Sequence, residues 1–309
     1  MEETNGNKTN VPMHEAEEKK NPAFHLFLYL VSFFSLGFVV QGIISIYFQI
    51  INKLVKDPLD VTGYYSGQLD SGALKMGISS LIVSFPIYYL LVYFINKKLE
   101  KGEIDPFSKI RKFITYFAMF VFSAMSIGSL IVLLYNYLDG EFTAKFFLKS
   151  LVFFVVSIFF FVFYLKEIRR KEFPGKFWKP LFVLSMMITL SALAGGLLVV
   201  DSPTVAREKK LDKEVVEEMN TVMYDIKSFY TANNRLPKVE ENEIKPGKAV
   251  EYSRTGEAAY ELCATFKQPA EKAEVMYGRE DWSHPAGRYC FKFNALSGGE
   301  EVPAKPINQ

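Results

Sequence analysis

The chain of 309 residues holds only two cysteines, three histidines and two tryptophans. Neither cysteine belongs to a CxxC pair, and His14 and His25 lie too far from His284 to complete a cluster with it, so no metal site is expected. An excess of one charge is also missing: the formal net charge is +2. Without a basic surplus, and with no zinc-knuckle or RNA-recognition motif, nucleic-acid binding is excluded. Ionisable side chains are absent from the middle of the long apolar runs, which argues against a charge-lined transport path. After the first run there is no small-x-small cleavage site, and its apolar core far exceeds a signal peptide's; it reads as a retained signal anchor.

What is present is strongly segregated. Half of the residues are hydrophobic, and until about residue 200 they fall in runs separated by short charged stretches. A bilayer core of about 30 Å needs roughly 20 apolar residues in a helix, at about 1.5 Å of rise each. Five runs reach that length: 24–51, 74–95, 113–138, 146–165 and 180–200. "SLVFFVVSIFFFVFYL" (150–165) is apolar all round, so a soluble core helix with a polar stripe does not describe it. The expected organisation is a disordered cytoplasmic tail (1–23), a five-helix transmembrane bundle (24–200) and an α+β extracytoplasmic domain (201–309).

Orientation follows from the short loops. Lys97, Lys98, Lys101, Lys109, Arg111 and Lys112 gather after the second run, and Lys166, Arg169, Arg170, Lys171, Lys176 and Lys179 after the fourth. The loops after the first and third runs are poor in cations. The alternation predicts a cytoplasmic N terminus and residues beyond Val200 outside, in a plasma (inner) membrane. Within the runs the polar residues are mild: Gln41, Gln49, Ser84, Ser123, Ser126 and Thr189. Pro86 is expected to kink or loosen the second helix. Ala124 with Gly128, and Ala192 with Gly196, have the small-xxx-small spacing of close helix contacts.

Past the last run, Ser202 suits an N-cap and Pro203 the first helical position. Leu211, Val215, Met219, Val222, Ile226 and Phe229 form one apolar stripe, and Asn233 or Asn234 before Pro237 ends the helix. "AYELCATF" and "GRYCFKFN" alternate as half-buried strands do. Antiparallel pairing with Cys263 opposite Cys290 sets Glu261 against Lys292 and Thr265 against Arg288, and merges the aromatic rows into one face for the helix. Opposed residues lie within disulfide reach. A Cys263–Cys290 bond is therefore expected in an oxidising compartment, two unpaired thiols being the alternative. In "DWSHPAG" and just after it, Trp282, His284 and Arg288 are candidate contacts for a ligand or partner; a Ser beside a His in sequence is not a triad.

Two resemblances follow from these residues. The aromatic third run, "YNYLDGE", the Lys149 start and the closing "YLKEIRR" make residues 74–170 similar to an uncharacterised family of bacterial integral-membrane domains, which implies no activity. Arg207, Asp225, Ile226, Tyr230, Asn234, Leu236 and Pro237 echo the region after the membrane helix of type IV pilins and pseudopilins. That resemblance implies a helix packed on a small antiparallel sheet. It does not imply filaments, since "PGKFWKPLFVL" lacks both the processing site and the assembly glutamate. The expected function is non-enzymatic, without cofactor: a membrane bundle displaying a disulfide-stabilised outer domain to an envelope partner or ligand. A small-molecule transporter or channel component is the alternative.

Overall fold

Five long apolar helices are followed by a sixth, amphipathic one and by five short strands in a computed structural model of the chain. It describes residues 22–55, 69–105, 108–140, 143–170, 178–270, 276–277 and 280–296. The tail expected over 1–23 lies, but for its last two residues, outside the described residues. The chain divides into two compact units, Met1–Val200 and Asp201–Gln309.

In the first unit α1 spans Pro22–Leu54, α2 Ser71–Glu100, α3 Lys109–Leu138, α4 Ala144–Ile168 and α5 Trp178–Val199. All five are long and apolar enough to cross a bilayer. Most run past the apolar stretches that announce them, because the residues that cap them lie in the polar flanks. Asp70 accepts from the N–H groups of Gly72 and Ala73, Ser108 from Arg111, and Thr143 from Phe146. At its other end α2 stops in a Schellman turn: Glu103 N–H donates to Lys98 O at 3.0 Å and Gly102 N–H to Leu99 O at 3.2 Å. Gly102 sits there at φ +70°, a conformation open to glycine without a Cβ clash. Helix α2 continues through Pro86 without a break.

Helix α1 is the hub. Leu36, Val39, Val40, Ile43, Ile44 and Ile46 bury the core against the other helices. It meets α2 at a glycine contact: a Cβ on Gly42 would lie 2.7 Å from the Leu81 side chain and 3.0 Å from Gly77 O. Gly196 brings α5 equally close, since its Cβ would stand 3.0 Å from Ile78 and 3.1 Å from Ile46. The other small pair behaves differently. Ala124 is exposed and a Cβ on Gly128 would meet nothing within 4 Å, so this pair marks no close helix approach among the described residues. Hydroxyls add to the packing. Thr189 Oγ1 donates to Ser185 O, which leaves Tyr89 OH to donate to Thr189 at 2.9 Å. Phe122 and Phe160 stack between α3 and α4 at 5.5 Å. The outside of the bundle is apolar, with Phe34, Phe38, Leu90, Phe120 and Leu198 exposed. These are the properties of a multi-pass membrane protein.

In the second unit α6 spans Pro203–Asn233, with Ser202 accepting from Val205 N–H at its start and Asn234 left-handed at φ 54° at its end. Its buried line differs from the stripe read in the sequence. Asp212, Val216, Met219, Val222, Met223 and Ile226 face inward, while Leu211 is exposed. The spacing of three and four is kept, but over the first turns the stripe is displaced by one residue. The sheet has the order β1 (Glu251–Arg254), β2 (Ala259–Phe266), β5 (Gly287–Asn294), all antiparallel. Two-residue strands β3 (Met276–Tyr277) and β4 (Glu280–Asp281) form a separate ribbon. Tyr260, Leu262, Ala264 and Phe266 of β2 all point into the core shared with α6.

Candidate functional site

The register of β2 with β5 places Cys263 opposite Cys290, Glu261 opposite Lys292 and Thr265 opposite Arg288. The cysteines are joined, with S–S 2.05 Å and a sequence separation of 27. One face of the sheet is buried in the core with α6. The other is charged and open around the disulfide: Arg288 donates to Glu251 at 2.6 Å across the sheet, and Lys292 pairs with Glu261 at 3.4 Å. Glu261 and the two sulfurs group their ligand-type atoms within 4.8 Å. Oxidised sulfurs are not thiolates, so this group does not offer a metal the donors it needs.

The three candidate contact residues do not form one surface. Trp282 is fully buried, its ring edge-on to Phe291 at 4.9 Å. His284 is 5% exposed and stacks on Phe266 at 3.6 Å, with backbone bonds to Ala270 at 2.9 and 3.0 Å. Only Arg288 reaches the open face. Magnitudes explain the indole. Burying roughly 200 Å² of aromatic surface is worth about 5 kcal/mol. That exceeds the roughly 1–3 kcal/mol lost because Trp282 Nε1 finds no hydrogen-bond partner among the described residues. Trp282 and His284 are thus core residues, and the loop sequence gave no sign of which way they turn.

Asp212, which pattern reading passed over, is the better-built polar feature of this unit. Its carboxylate is buried and accepts from Lys267 N–H at 2.9 and 3.0 Å and from Gln268 N–H at 2.8 Å. One turn earlier, Glu208 accepts from Gln268 Nε2 at 2.6 Å. The pair ties α6 to the chain leaving β2 through the backbone amides of Lys267 and Gln268 and the Gln268 side chain. Its partners lie 55 and 56 positions away, which is why no local motif reveals it.

In the first unit, part of the basic loop sequence is folded inward. Glu167 sits between two guanidiniums: Arg111 Nη2 donates to its Oε1 at 2.9 Å and to its backbone O at 3.0 Å, and Arg170 Nη1 lies 3.4 Å from Oε2. Arg170 also donates to Asn96 Oδ1 at 2.6 Å and stands over the Trp178 ring at 5.8 Å. Burial pulls Arg170 below the ordinary guanidinium value, with the Glu167 carboxylate opposing. This knot joins the last turns of α2 and α4 to the first turns of α3 and α5, and removing one partner would leave a buried charge uncompensated.

Most polar residues within the spans are likewise engaged in packing. Gln49 Oε1 accepts from Asp70 N–H at 2.8 Å and Asn52 Nδ2 at 3.0 Å, clamping α1 to the start of α2. Ser84 and Ser126 donate to Ser80 O and Phe122 O of the preceding turn. Gln41 and Ser123 have no hydrogen-bond partner among the described residues. Gln41 lines a cavity of about 400 Å³ between α1, α3 and α4, walled by Phe33, Val121, Phe122, Met125 and Phe153.

Residues 25–164 match the family DUF5671, described as a domain of unknown function. The match starts in α1 and ends in α4, and so begins well before the 74–170 segment on which the sequence resemblance rests. It brings no activity, and the pilin-like resemblance of the second unit finds no support in it. No curated protein and no solved structure matches the chain.

Proposed function

We propose that the protein is a non-enzymatic component of a bacterial cell envelope, set in the plasma (inner) membrane. On this reading its N terminus is cytoplasmic and residues 201–309 lie outside, where they meet a partner or ligand. The Cys263–Cys290 disulfide carries the reading, because such bonds persist in oxidising compartments and are rare in the cytosol. The crowding of Lys and Arg into the loops after α2 and α4 supports the same orientation. The surface offered outside is the open sheet face, where Arg288, Glu251, Lys292 and Glu261 surround the disulfide. Its mixed charge and lack of apolar area suit a polar partner. The alternative, passage of a small molecule, draws its support from the mid-bundle cavity. Against it stands the absence of ionisable side chains from the middle of the apolar runs.

Topology labelling tests the proposal. On intact cells, an impermeant reductant followed by an impermeant maleimide should label Cys263 and Cys290. Single cysteines placed at Lys101 or Arg169 in a cysteine-free background should react only after permeabilisation. The reverse pattern would put the second unit in the cytoplasm and end the display reading.

A further inference from the structure

Helix α1 turns Leu36, Val39, Val40 and Ile43 into the bundle, while Phe34, Gly37, Phe38 and Gln41 form an exposed stripe at spacings of three and four. Part of that stripe is recessed. Gly37 and Gln41 line the 400 Å³ cavity, whose walls come from α3 and α4. A Cβ on Gly37 would meet nothing within 4 Å, so the space in front of it is open. Gln41 lies three residues beyond the middle of Pro22–Leu54, about 4.5 Å along the axis. Its primary amide is thus held near mid-bilayer depth, exposed to the cavity, with no hydrogen-bond partner among the described residues.

A phospholipid tail fills the volume but cannot satisfy the amide, because its ester oxygens sit about 15 Å from the bilayer centre. A bare amide in hydrocarbon is costly, which makes its position informative. A second copy meeting Gln41 across a two-fold axis would have to bring two recessed amides together over the walls of two grooves. Phe153 and Met125 on those walls oppose that approach. A charged ligand is ruled out by the lining, which has no ionisable side chain. What remains is a neutral, lipid-soluble molecule carrying an oxygen on an otherwise apolar frame.

We infer that the α1–α3–α4 cavity is a binding site for a lipid-soluble carbonyl compound of quinone type, held by a hydrogen bond from the Gln41 amide. The ring lies over Gly37 between Phe33, Phe122 and Phe153, all of which line the cavity. The carbonyl oxygen accepts from Gln41 Nε2, and the apolar tail leaves the cavity for the surrounding lipid. The cavity size falls within the ordinary range for small-molecule sites, roughly 300–1,000 Å³. The site is independent of the outer domain and of its proposed role.

Full-length protein in detergent, titrated by native mass spectrometry with a fully ring-substituted decylbenzoquinone and with decylbenzene, provides the test. The wild type should bind the quinone at least tenfold more tightly than decylbenzene. Gln41→Leu, which keeps volume and loses the amide, should abolish that preference. Gly37→Leu, which fills the open space, should weaken both probes while melting shows the bundle intact. Equal binding of the two probes, or a preference that survives Gln41→Leu, overturns the inference. So does efficient cross-linking of Gln41→Cys protomers in native membranes, which would show a second copy on the amide.

Discussion

The two units solve the burial of polar groups in opposite directions. In the bundle the outer surface is apolar, and hydroxyls turn back onto their own helices: Thr115 to Arg111 O, Ser126 to Phe122 O, Ser157 to Phe153 O. Such local bonds satisfy a hydroxyl where water is absent. In the second unit the surface is charged, and the buried carboxylate of Asp212 is satisfied by amides far away in sequence. Helix α5 and helix α6 make the contrast sharpest. The first is apolar on every side, and the second carries a single inward line of apolar residues broken by one aspartate. A helix whose whole circumference is apolar is specified by its solvent, whereas an amphipathic one is specified by its neighbour.

If the units are stabilised this differently, they should fail separately. The largest effect is expected from the disulfide. Replacing both Cys263 and Cys290 by serine removes a cross-link closing a loop of 27 residues, a loss of about 3–4 kcal/mol by the chain-entropy estimate. Limited proteolysis should then cut residues 203–296 readily and leave the α1–α5 fragment resistant. Equal protection of the wild type and the double variant would mean that the core of the second unit stands without its bond.

A smaller loss is expected on the other side of the comparison. Gly42→Leu forces a side chain into Leu81 and the Gly77 carbonyl, and overpacking of this kind costs roughly 1–3 kcal/mol. Detergent melting should show the bundle transition lowered, with resistance of the second unit to protease unchanged. A coupled fall of both units would refute their independence.

The smallest effect is electrostatic and confined to the second unit. Arg235 holds Glu243 in a two-pronged ion pair and the Lys238 N–H adds a bond, together lowering the carboxyl from 4.5 to about 2. A carboxyl depressed in the folded state binds protons more tightly when unfolded. Its stabilising contribution is therefore complete above about pH 4.5 and fades as the pH falls towards about 2. Because the pair faces solvent, the contribution is small and weakens with salt. The difference in melting temperature between wild type and Glu243→Gln should shrink over that window, and a difference constant with pH would contradict the assignment.

Legibility in the sequence follows the range of the interaction. The helices of the bundle are visible because one solvent acts on every residue of each run. The β2–β5 register is visible because three independent constraints, thiols, charges and aromatic rows, agree on one alignment. The stripe of α6 is legible only to within one residue. Leu211 and Asp212 are neighbours, and hydrophobicity alone prefers the leucine, while the amides of Lys267 and Gln268 draw the aspartate inward. The inward turn of Trp282 and His284 was hidden for a related reason, since a loop carries no periodicity to show which side faces the core.

By itself the sequence determined how many helices are apolar enough to enter a bilayer, where the second unit begins, and which strands pair around the cysteines. These depend on composition and on repeats of two or of three to four residues, which neighbours along the chain express without help. Only the tertiary structure decided that Arg111 and Arg170 close on Glu167, that Gly42 rather than Gly128 marks a helix contact, and that Gln41 looks into open space. Each of those depends on which distant segment arrives at a given face, and close packing fixes that choice only when the whole unit has assembled.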